Sequence, residues 1–388
     1  MLYFFIMRAS LLIIFASILL LPDLYIWLCF LRKKKAWQVL LFFLPLFFVI
    51  GVGVMMFLGH TSPFFSRILF YIVLCLSLPK AVFMVGSIIS QIIGNWSKKG
   101  RKIGHGISIG LSVIVLLAAV YGCVVGVKQL EVKEQVLTFE QLPSKFDGYR
   151  IVQISDLHVG SYGKSGSFVQ RVVDSVNRLN PDLIVFTGDL VNIKSEEVEP
   201  YMEVLSTLHA KDGVLSILGN HDYGTYAYYK DPVRSAEECQ RLMELERKLG
   251  WTLLVDSSVL IHRGKDCIAV VGVGDIGKPP FKPLGDLKKA TASLDASTFK
   301  VLLSHDPSHW RMEVLPQTDI PLTLSGHTHA MQFRIGDFSP VKWMYDEWGG
   351  LYEENGQKLF VSTGLGGSLP FRLGAKPEIN VLIIKRKQ

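Results

Sequence analysis

Five short stretches of this 388-residue chain carry side chains that could do chemistry: Asp156-Leu157-His158, Gly188-Asp189, Gly219-Asn220-His221-Asp222, His305, and Gly326-His327-Thr328-His329. Asp, Asn and His together form the ligand set of a hydrolytic two-metal site, in which carboxylate and imidazole suit Mn, Fe or Zn. Taken singly, each stretch has a plainer explanation. An Asp-x-His or Gly-Asp after an apolar run is ordinarily a turn, and Asn or Asp is a common helix cap. Arriving together, each where an apolar run ends, they point to one shared site.

The runs that must position them are Ile151 to Ser155, Leu183 to Thr187, Val214 to Leu218, Val301 to Ser304 and Leu322 to Ser325. Short apolar runs bounded by Gly or polar turns read as buried strands. In open α/β sheets, ligands bind outside the carboxyl ends of the strands. Helices are expected at Ser165–Asn180, where Val169, Val172, Val173 and Val176 recur at helical spacing, and at Glu196–Ala210 and Ser235–Leu249. Further strands are expected at Trp251–Val255, Val259–His262, Cys267–Val273, Leu359–Ser362 and Ile379–Ile384. Strands outnumber helices toward the end, which fits two packed sheets with helices outside.

The motif series resembles the calcineurin-like metallophosphoesterase family: D-x-H, GD, GNHD, H and GHTH follow one another over the last two thirds of the chain. The tail, with Gly364-Leu365-Gly366-Gly367, Pro370-Phe371-Arg372 and Pro377-Glu378-Ile379, resembles its membrane-associated bacterial branch. The resemblance implies an α/β fold, a four-layer α-β-β-α sandwich. It implies one divalent ion held by Asp156, His158 and His329, and a second held by Asn220, His305 and His327. Asp189 would bridge them, one oxygen to each. A metal-bridging hydroxide would attack phosphorus in a phosphoester or pyrophosphate, with His221 protonating the leaving oxygen and Asp222 orienting His221. One departure concerns Ala330-Met331-Gln332, where many members have Gly-Gly-Gln.

The first third of the chain is of another kind. Apolar runs at 9–31, 37–58, 68–93 and 103–127 are each long enough to span a bilayer, and four transmembrane helices are expected within 1–127. Residues 128–149 read as a polar linker and 150–388 as the phosphoesterase domain. Residues 1–130 hold 12 Lys and Arg against one acid, Asp23, whereas 131–388 hold 29 against 33 acids. The net charge of +7 is therefore a membrane-flank feature and gives no nucleic-acid footprint. Arg32 to Lys35 and Lys98 to Lys102 lie in alternate loops, and the positive-inside rule puts both in the cytoplasm. The expected protein is a multi-pass component of the cell membrane with its catalytic domain on the periplasmic or extracellular side. Asp23 and Lys80, both within apolar runs, are candidates to pair with each other.

Two function classes follow. One is a membrane-anchored hydrolase of phosphoesters, lipid-linked substrates among them. The other is a transporter or interaction module with a non-catalytic metal-binding domain, disfavoured because no ligand is missing. Tyr223, Tyr226, Tyr228 and Tyr229 follow Asp222, while Phe338, Trp343, Tyr345 and Trp348 follow His329. They form either a local cap beside the site or a rim facing the bilayer. Cys239 and Cys267 are expected as free thiols.

Overall fold

The computed structural model describes residues 19–57, 63–162, 166–228, 231–279 and 282–387. It divides into two units, Met1–Val125 and Gly126–Gln388.

In the first unit, two helices are long and apolar enough to cross a membrane, Arg67–Gly94 and Lys98–Lys128. These match two of the four expected spans. The other two correspond to shorter apolar helices, Leu19–Leu31 and Ala36–Val52; residues 9–18 and 58 of those expected spans lie outside the described residues. The second long helix starts at a cap, where the Ser97 hydroxyl accepts the Gly100 N–H at 3.1 Å. The two long helices pack through small residues: a Cβ on Gly86 would strike Ser108, and one on Gly104 would strike Ser90. Both serines turn their hydroxyls back onto their own helix, to Gly86 O and Gly104 O. Such small-residue contacts let helix backbones approach closely in lipid. The expected charge pair is present, with Lys80 Nζ 2.7 Å from Oδ1 of the buried Asp23.

The second unit holds twelve strands: β1 (Glu131–Phe139), β2 (Tyr149–Ile154), β3 (Leu183–Thr187), β4 (Val214–Ile217), β5 (Thr252–Leu253), β6 (Ser257–Arg263), β7 (Asp266–Gly272), β8 (Phe299–Leu303), β9 (Leu322–Ser325), β10 (Gly350–Glu354), β11 (Gln357–Val361) and β12 (Glu378–Arg386). One sheet runs β1-β12-β2-β3-β4-β5 and the other β10-β11-β9-β8-β7-β6. Strands β2 to β5 are mutually parallel, as are β7, β8, β9 and β11. Ile151, Val185, Leu215 and Leu382 of the first sheet share one core with Ile268, Val301, Leu322 and Phe360 of the second. The outer face of the first sheet packs on Val169, Val172, Val173 and Val176 of helix Ser167–Arg178 and on Leu242 and Leu245 of helix Pro232–Lys248. The outer face of the second packs on Leu287, Trp310 and Val314. This is the expected α-β-β-α sandwich.

Two expectations change. Residues 131–139, expected as linker, form the edge strand β1, parallel to β12. Its inward face begins with the half-buried polar Glu131, Lys133 and Gln135 before reaching the buried Leu137 and Phe139, while Val132 and Val136 are exposed, and this pattern hides the strand in the sequence. The expected helix Glu196–Ala210 shrinks to tight turns and one short helix, Met202–Leu205. Pro200 lacks the N–H that a continuous helix would need there.

Candidate metal centre

Every motif lies just beyond a strand end. β2 leads into Asp156 and His158, β3 into Asp189, β4 into Asn220 to Asp222, β8 into His305, and β9 into His327 and His329. The chain must turn sharply there to aim side chains at one point. Asp156, His158, Asp189, His327 and His329 all have left-handed backbones, with φ of 52°, 47°, 61°, 72° and 50°. Non-glycine residues held so cost about 1 kcal/mol or more each and concentrate at functional sites. Neighbouring loops fix the strain in place: Asp156 N–H donates to Gly188 O at 2.9 Å, and His158 N–H to Asp189 O at 3.1 Å. The motif glycines allow the approach, since a Cβ on Gly188 would lie 2.5 Å from Gly219 N.

The ligand atoms of Asp156, His158, Asp189 and His329 lie within 4.8 Å of one another. His158 Nε2 is 3.2 Å from His329 Nε2, and His329 Nε2 is 3.4 Å from Asp156 Oδ1. A second group gathers opposite: Asn220 Oδ1 is 3.2 Å from His305 Nε2 and 2.9 Å from His327 Nδ1. Asp189 touches both groups through one atom, with Oδ2 3.5 Å from His158 Nε2 and 3.3 Å from His305 Nε2. Its Oδ1 accepts the His221 N–H at 2.8 Å. Of the two Asp189 oxygens, Oδ2 is thus the one that faces both groups. All seven expected ligand residues are brought together.

This convergence fits cations. Four imidazoles and two carboxylates with an amide oxygen crowd a small buried space. Burial, opposed by Asp189, leaves His158 at about 3, and it holds His329 well below the usual imidazole range. Both present neutral rings; the buried Nδ1 of His329 has no hydrogen-bond partner among the described residues, and His158 interacts with the Val191 backbone. Burial opposes charge on Asp189, but His305 and His221 outweigh it and keep the carboxyl well below its ordinary value. Burial likewise pulls His305 down, and the facing Asp189 carries it well above 6.5. Burial raises Asp156 to about 6, a strain that a cation would relieve.

Outer partners orient the second group. His305 Nδ1 donates to Thr187 O at 2.7 Å, which leaves Nε2 as the acceptor facing the site. His327 Nε2 meets the Tyr345 hydroxyl at 2.8 Å, which leaves Nδ1 facing Asn220. Asn220 Nδ2 donates to the Tyr226 hydroxyl at 2.8 Å, so its oxygen points at the imidazoles.

His221 stands beside the ligands, its ring stacked 4.1 Å from that of Tyr226. Its Nδ1 donates to Asn192 O at 2.6 Å, leaving Nε2 as the nitrogen able to exchange a proton. Asp222 does not take the part expected of it. Its carboxylate accepts four backbone N–H groups, from Asp189 (2.7 Å), Leu190 (2.9 Å), Val191 (3.2 Å) and Gly219 (2.9 Å). It ties the end of β3 to the end of β4, and the backbone of Asn192 orients His221 instead. Glu197 in turn holds that segment, accepting from the N–H groups of Asn192 and Ile193 at 2.7 and 3.2 Å.

Sequence reasoning missed Asn192, which acts through its backbone and shows no side-chain signal. It placed Tyr226 and Tyr345 near the site without their roles. Arg372, named in the sequence only as part of the tail motif, is fully buried: it donates to Thr363 O, Gly366 O and Ala375 O at 2.9, 2.5 and 3.0 Å and braces the loop behind Asp156. The departure at 330–332 keeps a glycine-like backbone, with φ of 50°, 47° and 57° at Ala330, Met331 and Gln332. Gln332 Nε2 anchors it to Leu369 O and Phe371 O, both at 2.8 Å. Cys239 and Cys267 are free.

Against known proteins, a family model described as calcineurin-like phosphoesterase matches residues 149–331. An uncharacterized metallophosphoesterase of Bacillus subtilis, YkuE, is 32% identical over 271 residues, 66% of this chain and 86% of that protein. A Danio rerio protein named transmembrane protein with metallophosphoesterase domain is 28% identical over 98% of this chain and 90% of its own length. The UDP-2,3-diacylglucosamine pyrophosphatase LpxG of Chlamydia trachomatis is 28% identical over 61% of this chain and 85% of its own.

Proposed function

The chain belongs to the calcineurin-like phosphoesterase family and is a metal-dependent phosphohydrolase, and from that premise we propose a membrane-anchored, dinuclear enzyme that cleaves phosphoester or pyrophosphate bonds of a lipid-linked substrate. The observation that carries the dinuclear reading is the position of Asp189 Oδ2, 3.5 Å from His158 Nε2 and 3.3 Å from His305 Nε2. Asp156, His158 and His329 would hold one divalent ion and Asn220, His305 and His327 the other, with Asp189 shared. Such a pair supplies Lewis acidity, which lowers the pKa of water and offsets charge on phosphoryl oxygens.

The remaining work falls to this chain's own residues. His221 is fixed at Nδ1 by Asn192 O, so Nε2 is free to give a proton to the leaving oxygen. Tyr226 stacks on that ring and limits its rotation. Asp222 keeps Asp189 and Asn220 in register by holding both strand ends.

Membrane anchoring draws support from the two long apolar helices and from the Danio rerio relative, which is named a transmembrane protein and is similar over nearly the whole chain. If the chain crosses the membrane four times, the alternating basic loops would put the catalytic unit on the periplasmic or extracellular side. A lipid-linked pyrophosphate as substrate draws support from the similarity to LpxG, a pyrophosphatase of a diacylated sugar nucleotide by its name. The test is a substrate panel on purified full-length protein with Mn²⁺, covering soluble aryl diesters, nucleotides and lipid pyrophosphates. Preference for a soluble nucleotide over every lipid would reject the substrate class. Absence of metal-dependent turnover on any of them would reject the dinuclear mechanism.

A further inference from the structure

The loops beside the metal centre sort their large apolar residues into two sets. Trp348 is only 6% exposed, and Tyr345 turns inward to His327. Trp343 is 80% exposed, Ile335 65% and Met344 61%, with Met331 and Phe338 exposed as well. These five fall within residues 331–344. They lie close together: Ile335 and Phe338 exchange backbone hydrogen bonds of 2.9 and 3.0 Å, and the Phe338 and Trp343 rings are 6.0 Å apart. An apolar cluster this concentrated beside a site marks an interaction surface.

What covers it is indicated by where the chain enters this unit. Gly126, its first residue, abuts Arg372, whose carbonyl oxygen would collide with any Cβ there. The next residue, Leu373, is bridged to Phe333 and accepts the Arg334 N–H at 2.8 Å. Residue 126, where this unit begins, and the exposed ridge therefore meet the same loop. Arg334, Lys342 and Lys278 flank the ridge; Lys278 Nζ donates to Met344 O at 2.9 Å, and Lys342 lies 5.8 Å over the Trp348 ring. Asp337 at the tip is paired with Arg334 at 3.6 Å. Exposed Trp, Met and Phe ringed by cations suit the interface of an anionic bilayer.

We infer that residues 331–344 form a lipid-docking ridge, with Trp343, Ile335 and Met344 entering the headgroup layer beside the metal centre. The inference rests on the membrane anchoring proposed above and is independent of hydrolysis. The full-length chain is assembled in nanodiscs of phosphatidylcholine and phosphatidylglycerol and exposed to hydroxyl radicals. By exposure alone Met344, at 61%, should oxidise faster than Met312, at 41% and outside residues 331–344. The ridge requires the reverse, with Met344 at least threefold slower. In a second measurement, brominated lipid should remove at least half of the fluorescence difference between the unaltered chain and Trp343→Phe. Faster oxidation of Met344, or an unquenched Trp343, overturns the ridge even in a fully active enzyme. Protection of Met344 without quenching, accompanied by a doubled particle mass, assigns the surface to a second copy of the chain and also overturns it. Anchoring is read separately, from co-migration with the discs, and a chain that does not co-migrate overturns both.

Discussion

The two halves of the metal centre are held by different means. On the side of Asn220, His305 and His327, each imidazole has its outer nitrogen tied, to Thr187 O and to the Tyr345 hydroxyl. On the side of Asp156, His158 and His329, the outer nitrogen of His329 is unpartnered among the described residues, His158 interacts with the Val191 backbone, and all three candidate ligands sit on left-handed backbones. One half is preset chiefly by hydrogen bonds that choose the tautomer, with a left-handed backbone at His327 alone, the other by a left-handed backbone at every candidate ligand. Outer-shell hydrogen bonds raise ligand basicity as well as fixing orientation. The tied half should therefore hold its ion more tightly, and the strained half should release its ion first under chelation.

The most severe break is Asp189→Ala, which removes the atom common to both halves. Elemental analysis should find both ions lost, with turnover at background. Retention of a full complement of metal would mean that the halves do not share a ligand. His221→Ala comes next: both ions should stay while turnover falls by about 10²–10⁴, the range for loss of general acid catalysis. Tyr345→Phe sharpens the comparison itself. It should weaken binding of one ion by about 10–100-fold and leave the other unchanged, as for other outer-shell losses. A titration in which both ions weaken equally would show that the tied half has no advantage.

A pH test separates the site from its scaffold. Burial raises Glu246, under the first sheet, to about 8, and among the described residues only the Ser216 hydroxyl, at 2.5 Å, is donated to its carboxyl group. The folded chain keeps that proton until about pH 8, whereas the unfolded chain gives it up near the ordinary value of about 4.3. The folded state thus binds more protons between those values, and stability falls as pH rises across them. Melting of Glu246→Gln should match the unaltered chain near pH 5 and exceed it by a few degrees at pH 8. A parallel pair of curves would place the charged form of Glu246 in the folded state. The smallest effect is expected from Ala330→Gly, which relieves a left-handed residue at φ 50°; a gain of about 1 kcal/mol would be partly offset by the lost methyl.

The candidate ligands were legible because metal chemistry needs particular side chains, and sheet topology puts them at strand ends. All seven meet as the motif order implied. What was illegible acts through the backbone or through context. Asn192 contributes a carbonyl oxygen that any residue could supply. Asp222 stands next to a histidine in sequence but faces four N–H groups in space, and adjacency suggested the wrong partner. Strand β1 was hidden by the polar side chains of an edge. The aromatic stretches were legible as a group, but only the fold separates Trp348, which packs inside, from Trp343, which does not.

The pair formed by Asp23 and Lys80 bears on how the protein is made. The two residues are 57 positions apart, and a ribosome delivers the acid first. Until Lys80 emerges, Asp23 has no counter-ion and must remain hydrated or protonated, so the opening helix cannot settle into its final packing as it is synthesised. Its placement waits on a segment translated several seconds later, at about 5–20 residues per second. The order of assembly of the N-terminal helices is thus written in one charge and the distance to its partner.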